Sequence, residues 1–276
     1  MAVWKKLNPE TGEYEEISGT NTSSSDDVSV DDTETLLDLT GKTAIFMGDS
    51  YTVGMSAMLK AMCTEFGMVD DNRGVVSSSI CGDTAGNKGF SPMWNRSKSV
   101  CQEYVDAGTT DNVALVVFMG GANDGFGINT WVGSGIADTD TEHIYGAMHS
   151  ILNSFRSTFP KAKIIVVLQP SHYVRTVSSV EDDETAQIFG FADLEALQVM
   201  DDYQYSNYSM FVKERAVEEV AKFYSTSIVD CCFDWYSVLN AEDRETYWNA
   251  DKLHLTSAGY QDVTKRIREK IIEIFT

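Results

Sequence analysis

Positive charge is scarce in this chain. Its 21 Lys and Arg residues face 42 Asp and Glu, a formal net charge of −21. A surface that acidic repels phosphate backbones and anionic lipid head groups, and no Lys/Arg run marks a local basic patch. Neither nucleic acid nor a bare membrane is therefore expected as a partner. Long apolar runs are missing as well. Nothing approaches the roughly 20 residues that span a bilayer, and no apolar stretch follows Lys5-Lys6 to form a signal peptide. The expectation is a chain made in a cytoplasm, though not necessarily retained there. Cysteines are few and odd in number. Cys63, Cys81, Cys101, Cys231 and Cys232 have neither metal-type spacing nor a disulfide framework, so they read as buried thiols of a protein made in a reducing compartment. His-Glu-x-x-His, paired Cys-x-x-Cys and clustered carboxylates are absent, which leaves no call for a metal. No Gly-x-Gly-x-x-Gly follows the first strand, so a dinucleotide is not expected either, and no cofactor is implied.

What is present suits one substantial core with a short appendage: 276 residues, 43% of them hydrophobic and 11% aromatic. Composition changes near residue 40. Gly19 to Asp38 is rich in Thr, Ser and Asp and reads as a solvated linker, and Met1 to Thr40 carries ten acidic against two basic residues, a net of −8. Ahead of the linker, two short runs, Trp4–Leu7 and Glu13–Ile17, flank Asn8-Pro9-Glu10-Thr11-Gly12 and suggest a hairpin that is marginal alone. A frayed terminus without a role is the alternative. The division expected is residues 1–40 as an attachment segment and linker and 41–276 as the folded domain.

From Lys42 onward strands and helices alternate. Strands are expected at Thr43–Met47, Gly74–Ser79, Val113–Met119, Lys163–Leu168 and Ser227–Val229. Helices are expected from the Gly48 turn to about Phe66, over His143–Phe159, Tyr208–Tyr224 and Ala258–Ile274, the last capped by Thr256 or Ser257. Strands that are apolar throughout, alternating with helices, predict an α/β fold: a three-layer sandwich whose central parallel sheet is covered on both faces. The stretch from about 171 to 207 is long for a connection, acidic and rich in aromatics, as a lid, a binding loop or an insertion serving solubility would be.

In open parallel sheets reactive groups collect in the loops after the carboxyl ends of the strands. Gly48-Asp49-Ser50-Tyr51 follows the first strand and puts Ser50 at the mouth of a helix, where a hydroxyl is exposed and a backbone N–H favours a developing anion. Gly120-Gly121-Ala122-Asn123-Asp124 follows the strongest strand, and Asp251-Lys252-Leu253-His254 precedes the last helix. Serine acyl transfer needs a base for the hydroxyl proton and a carboxylate to orient that base. Asp and His three apart on one turn can supply both. Taken singly, Gly-Asp-Ser is a common turn, Asn can merely cap a helix and Asp-x-x-His can be an ordinary helix entry; the conjunction in this order carries more weight.

This set resembles the SGNH (GDSL-like) hydrolase family. Gly48-Asp49-Ser50 matches its first block, with Tyr51 where the family name has leucine. Ile80-Cys81-Gly82-Asp83-Thr84 resembles the second, with Gly86 and Gly89 close behind. Gly121-Ala122-Asn123-Asp124 matches the third, and Asp251 and His254 the last; the first forty residues lie outside. The resemblance implies Ser50 as nucleophile, His254 as base and Asp251 as its orienting carboxylate. It also implies an oxyanion hole of the Ser50 and Gly82 N–H groups and the Asn123 amide. Asp49 and Asp124 are expected to be structural. Tyr51, Asp83, Gly121 and His172, the last in the loop after KIIVVL, are candidates for substrate contact. His143 and His149 are expected to be satisfied surface residues. Tyr203, Tyr205, Tyr208 and Trp131 would stack on sugar rings or form the core of the insertion. Family members hydrolyse esters and thioesters of lipids, aryl alcohols and acetylated carbohydrates. The expected function is removal of acyl, above all acetyl, groups from a small molecule or glycan. Trp4–Ile17 is weakly similar to the starts of bacteriophage tail and baseplate proteins, which implies a virion setting with other tail proteins as partners of residues 1–40. The alternatives are a cytoplasmic lipase or thioesterase, and a glycan-binding or structural tail module without activity. A homo-oligomer is compatible with the sequence.

Overall fold

The computed structural model describes residues 5–7, 14–16, 37–82, 91–124, 132–170, 202–232, 246–251 and 253–276. The chain falls into two units, Met1–Leu36 and Leu37–Thr276. In the first, strands β1 (Lys5–Leu7) and β2 (Tyr14–Glu16) pair antiparallel with Lys5 opposite Glu16 and Leu7 opposite Tyr14. The two runs around the Pro/Gly turn thus pair as the sequence suggests.

The second unit runs β3 (Thr43–Gly48), α1 (Ser50–Gly54), α2 (Ser56–Glu65), β4 (Val69–Gly74), α3 (Met93–Asp106), β5 (Val113–Met119), α4 (Ile144–Thr158), β6 (Lys163–Leu168), α5 (Asp202–Phe223), β7 (Ser227–Asp230) and α6 (Ser257–Phe275). Its five strands are all parallel, in the order β4-β3-β5-β6-β7. Alternate residues of each central strand feed two apolar layers. Ile45, Met47, Val116, Phe118, Val166 and Leu168 pack against α3, α4 and α5. Ala44, Phe46, Leu115, Val117, Ile165 and Val167 pack against α1, α2 and α6. Strands buried on both faces must be apolar past their entry residues, which is why TAIFM, VALVVFM and KIIVVL carry no alternation after Thr43 and Lys163. Burying each large apolar side chain contributes about 1.5–3 kcal/mol. The fold is the expected three-layer α/β sandwich. All five cysteines are buried thiols outside any disulfide, and Cys231 and Cys232 point into opposite layers.

Four elements differ from the sequence expectation. The second strand lies at Val69–Gly74, ending where Gly74–Ser79 would begin. It is a half-exposed edge strand, which lets Asp70, Asp71 and Asn72 sit in it, and the apolar Val75-Val76 pair follows it into a turn with Ser77 at φ +63°. The stretch after β3 is two helices broken at Met55. Helix α3 has no counterpart in the expectation, because its buried stripe of Met93, Ser97, Val100 and Cys101 includes a serine. Helix α5 begins at Asp202, so the end of the supposed 171–207 insertion is helical, and residues 171–201 lie outside the described set. The Thr256 cap of α6 is as expected, its hydroxyl accepting the Gly259 N–H at 3.3 Å.

Candidate active site

With β3 flanked by β4 on one side and β5 on the other, the chain reverses its winding beside β3, and in open sheets of this kind ligands bind over the carboxyl ends of the strands at such a reversal. Gly48 closes β3 where any Cβ would collide with the Thr52 side chain and the Met119 carbonyl. Only glycine lets α1 start directly from the strand. Asp49, fully buried, caps that helix by accepting the Tyr51 N–H at 2.9 Å, and Ser50 becomes its first residue.

The partner of Ser50 comes from the turn before α6. His254 Nε2 lies 3.2 Å from Ser50 Oγ, and His254 Nδ1 lies 2.8 Å from Asp251 Oδ2. The other Asp251 oxygen accepts the backbone N–H groups of Leu253 and His254, each at 3.0 Å, so one carboxylate both shapes the turn and grips the ring. Burial pushes the Asp251 carboxyl up, but the His254 ring and these two N–H groups outweigh it and hold the carboxyl below its ordinary value. An ionised carboxylate only accepts, so Nδ1 carries the proton and Nε2 presents its lone pair to the Ser50 hydroxyl. The turn is anchored from behind: Asn249 N–H donates to the His254 carbonyl at 2.8 Å and Asn249 Nδ2 to the Leu255 carbonyl at 2.9 Å.

After β5, Asn123 Nδ2 donates to the Ser78 carbonyl at 3.1 Å. Asp124 is buried and accepts the N–H groups of Ile80 and Cys81, which ties the Ile80–Gly82 segment to this loop. Asp49 and Asp124 thus have structural partners, as anticipated. Gly82, at φ +85°, donates its N–H to the Thr141 carbonyl at 3.1 Å and accepts Trp94 Nε1 at 2.9 Å. Its peptide is held at both ends and its N–H already has an acceptor.

Two of the residues taken as substrate contacts turn inward. Tyr51 is fully buried: its hydroxyl donates to the Leu253 carbonyl at 2.5 Å and its ring packs edge-on against Tyr260. It supports the His254 turn from below instead of lining a cleft, because the residue after Ser50 on α1 faces the core. Gly121 is buried at φ +142°, and its carbonyl accepts Lys213 Nζ at 3.1 Å. Asp83, His172 and Trp131 lie outside the described residues, and Tyr203, Tyr205 and Tyr208 fall within α5. His143 pairs with Asp138 at 2.9 Å, and His149 bonds the Ile136 carbonyl at 2.8 Å and the Tyr224 hydroxyl at 3.3 Å, so both are satisfied away from Ser50.

The sequence reading missed a buried polar group beneath the site: Gln169 at the end of β6, and Lys213 and Glu214 on α5. Lys-Glu in a helix reads as solvated surface. The signal against that reading was its register, since Lys213 heads the buried stripe Ala216, Val217, Val220, Ala221 at helical spacing. Burial pushes Asp49 up to about 6 against the Gln169 and Tyr51 bonds that lower it. Burial also raises Glu214 well above the usual carboxylate range and lowers Lys213. Among the described residues no group of three or more His, Cys, Asp or Glu could hold a metal ion, and no helix is long and apolar enough to cross a membrane.

A hydroxyl within reach of an imidazole that a carboxylate orients is the arrangement of an activated serine nucleophile. No curated protein matches the chain. Among solved structures it is similar to a protein from Lactobacillus plantarum, at 16% identity over 85% of this chain and 98% of that one, with a TM-score of 0.57. It is similar also to a GDSL-like lipase from Bacteroides thetaiotaomicron, at 16% identity over 85% and 89%, TM-score 0.52. A carbohydrate esterase family 3 protein from Talaromyces cellulolyticus matches at 15% identity over 85% and 98%, TM-score 0.52. These likenesses establish a shared fold. The model of the GDSL-like lipase/acylhydrolase family matches residues 46–261, from within β3 to within α6, and the chain belongs to that family.

Proposed function

We propose that the protein is a serine ester hydrolase that removes acetyl or other small acyl groups from a carbohydrate. The observation that carries the reading is the continuous contact from Asp251 through His254 to Ser50, at 2.8 and 3.2 Å. In this mechanism His254 Nε2 takes the Ser50 proton as Oγ bonds to the acyl carbon. The imidazolium, steadied by Asp251, returns that proton to the departing sugar oxygen as the ester C–O bond breaks. Water, deprotonated by the same nitrogen, then hydrolyses the acyl-enzyme. The Ser50 N–H and the second Asn123 amide hydrogen stabilise the tetrahedral oxyanion, a donor of this kind being worth about 10²–10³ in turnover. For Gly82 to join them, its N–H must exchange the Thr141 carbonyl for the oxyanion.

The family membership supports acyl hydrolysis, and the carbohydrate assignment is supported, by analogy of fold alone, by the likeness to a carbohydrate esterase. Residues 1–40 are proposed as an attachment device, a virion tail being the setting their sequence suggests. The test is acetate release from a panel of acetylated glycans, run beside short- and long-chain aryl esters with Ser50→Ala as control. The proposal expects glycan deacetylation and short-chain activity, both lost in Ser50→Ala. A preference for long acyl chains would favour a lipase, and glycan binding without release would favour a non-enzymatic module.

A further inference from the structure

One buried side chain runs from the Ser50 turn to the Asn123 loop. Gln169, the residue after β6, is fully buried. Its Oε1 accepts the Ala122 N–H at 2.6 Å, one residue before Asn123, and its Nε2 donates to Asp49 Oδ2 at 2.8 Å, one residue before Ser50. Its own N–H donates to Glu214 Oε2 at 3.0 Å. The amide can face only this way, because the Ala122 N–H only donates and an ionised Asp49 only accepts; turned over, it would set donor against donor. From the other side Lys213 Nζ donates to the carbonyls of Gly121 and Asp124, at 3.1 and 2.9 Å, bracketing the same loop. An apolar side chain would fill the space but leave the Ala122 N–H and an Asp49 oxygen buried without these partners.

We propose, resting on the serine-hydrolase reading, that Gln169 is a positioning residue: a strut that sets the separation between the Ser50 turn and the Asn123 loop and so keeps nucleophile and oxyanion donor in register. It joins the carboxyl ends of β3, β5 and β6 in one chain of bonds, each to a residue adjacent to a reacting one or to α5. Burial raises the hold of Glu214 on its proton, the direction that lightens negative charge beside Asp49 and Asp124. Gly121 fits the same frame: a Cβ there would lie 2.5 Å from Glu214 Oε1.

The test uses the full chain and p-nitrophenyl acetate, with Gln169→Met, Gln169→Glu, Asn123→Ala, Ser50→Ala and the Gln169→Met/Asn123→Ala double variant. Gln169→Met removes both arms of the strut at nearly constant volume; Gln169→Glu keeps the Ala122 arm and sets a carboxyl against Asp49. A misplacement on the order of 1 Å costs about 100-fold, so kcat is expected to fall about 10–100-fold in Gln169→Met and less in Gln169→Glu, with KM within about threefold. A strut acting through Asn123 also makes the double variant no worse than about the poorer single one. Folded Gln169 variants with kcat within threefold of wild type, or losses that multiply fully in the double variant, would overturn the proposal. So would failure of both variants to fold, which would mark Gln169 as a residue of the core. Ser50→Ala separates the two claims: activity surviving there refutes the serine mechanism, whereas its loss alongside intact Gln169 variants refutes only the strut.

Discussion

Replacing Asp251 by asparagine tests the relay at the point where the geometry makes the sharpest demand. Oδ1 of Asp251 accepts two backbone N–H groups at 3.0 Å, and Oδ2 faces His254 Nδ1 at 2.8 Å. Asparagine must choose which side keeps its one oxygen. Turning the oxygen to the ring would set the amide NH₂ against both the Leu253 and His254 N–H groups, forfeiting two hydrogen bonds at about 1 kcal/mol each to retain one. The oxygen therefore stays with the backbone and the NH₂ faces Nδ1, which must then give up its proton to Nε2. An Nε2–H donates to Ser50 Oγ and cannot take the proton from it. The expected loss in kcat is about 10³–10⁴-fold, equivalent to roughly 4–5.5 kcal/mol of transition-state stabilisation. Because the turn keeps both backbone bonds, thermal unfolding should shift little and KM for a small ester should stay within about threefold. The assay is steady-state hydrolysis of p-nitrophenyl acetate with circular dichroism on the same preparations. A folded Asp251→Asn variant that retains kcat within about threefold of wild type would refute the reasoning.

Asp49 gives a prediction about pH. Its carboxyl, ordinarily near 3.8, is pushed up to about 6 by burial. Between those values the native state holds a proton that the unfolded chain has released. Stability should therefore fall as pH rises through the window and level off above it, by roughly 3 kcal/mol at about 1.4 per unit. Asp49→Asn removes this titration, so its urea midpoint should change less than wild type between pH 4 and 7.5; parallel changes would show that Asp49 does not titrate there. Deleting Met1–Leu36, the first unit, should leave p-nitrophenyl acetate hydrolysis unchanged while abolishing incorporation into a larger assembly. Loss of the small-ester activity would show that the segment belongs to the hydrolase core.

Much of this fold could be read from the chain because its central strands are buried on both faces. Val113–Met119 and, past the exposed Lys163, Ile164–Leu168 are uninterrupted apolar runs, and the two strands have the expected bounds Val113–Met119 and Lys163–Leu168. The edge strand Val69–Gly74 could not be read so, since pairing on one side and partial exposure permit four polar residues in a row. The Asp251–His254 contact was legible because it is local: three residues on one turn bring the carboxylate to the ring. The contact of His254 with Ser50 spans the whole domain and was inferred from the position of each after or before an element. Gln169 was invisible, because a lone glutamine after a strand carries no periodicity, and its partners lie 47, 120 and 45 residues away. The inward turn of Tyr51 likewise depends on how α1 leaves β3, which neighbouring residues alone do not specify.

The central claim is that Ser50 carries the acyl group. A fluorophosphonate reacts irreversibly with an activated serine and leaves a stable adduct in its place. Intact-mass measurement after incubation, followed by peptide mapping, should find one phosphonyl group per chain on the peptide holding Ser50, hydrolysis lost in step with labelling, and no label on Ser50→Ala. Labelling at another residue, or a wild-type enzyme that hydrolyses p-nitrophenyl acetate while remaining unlabelled, would contradict the account.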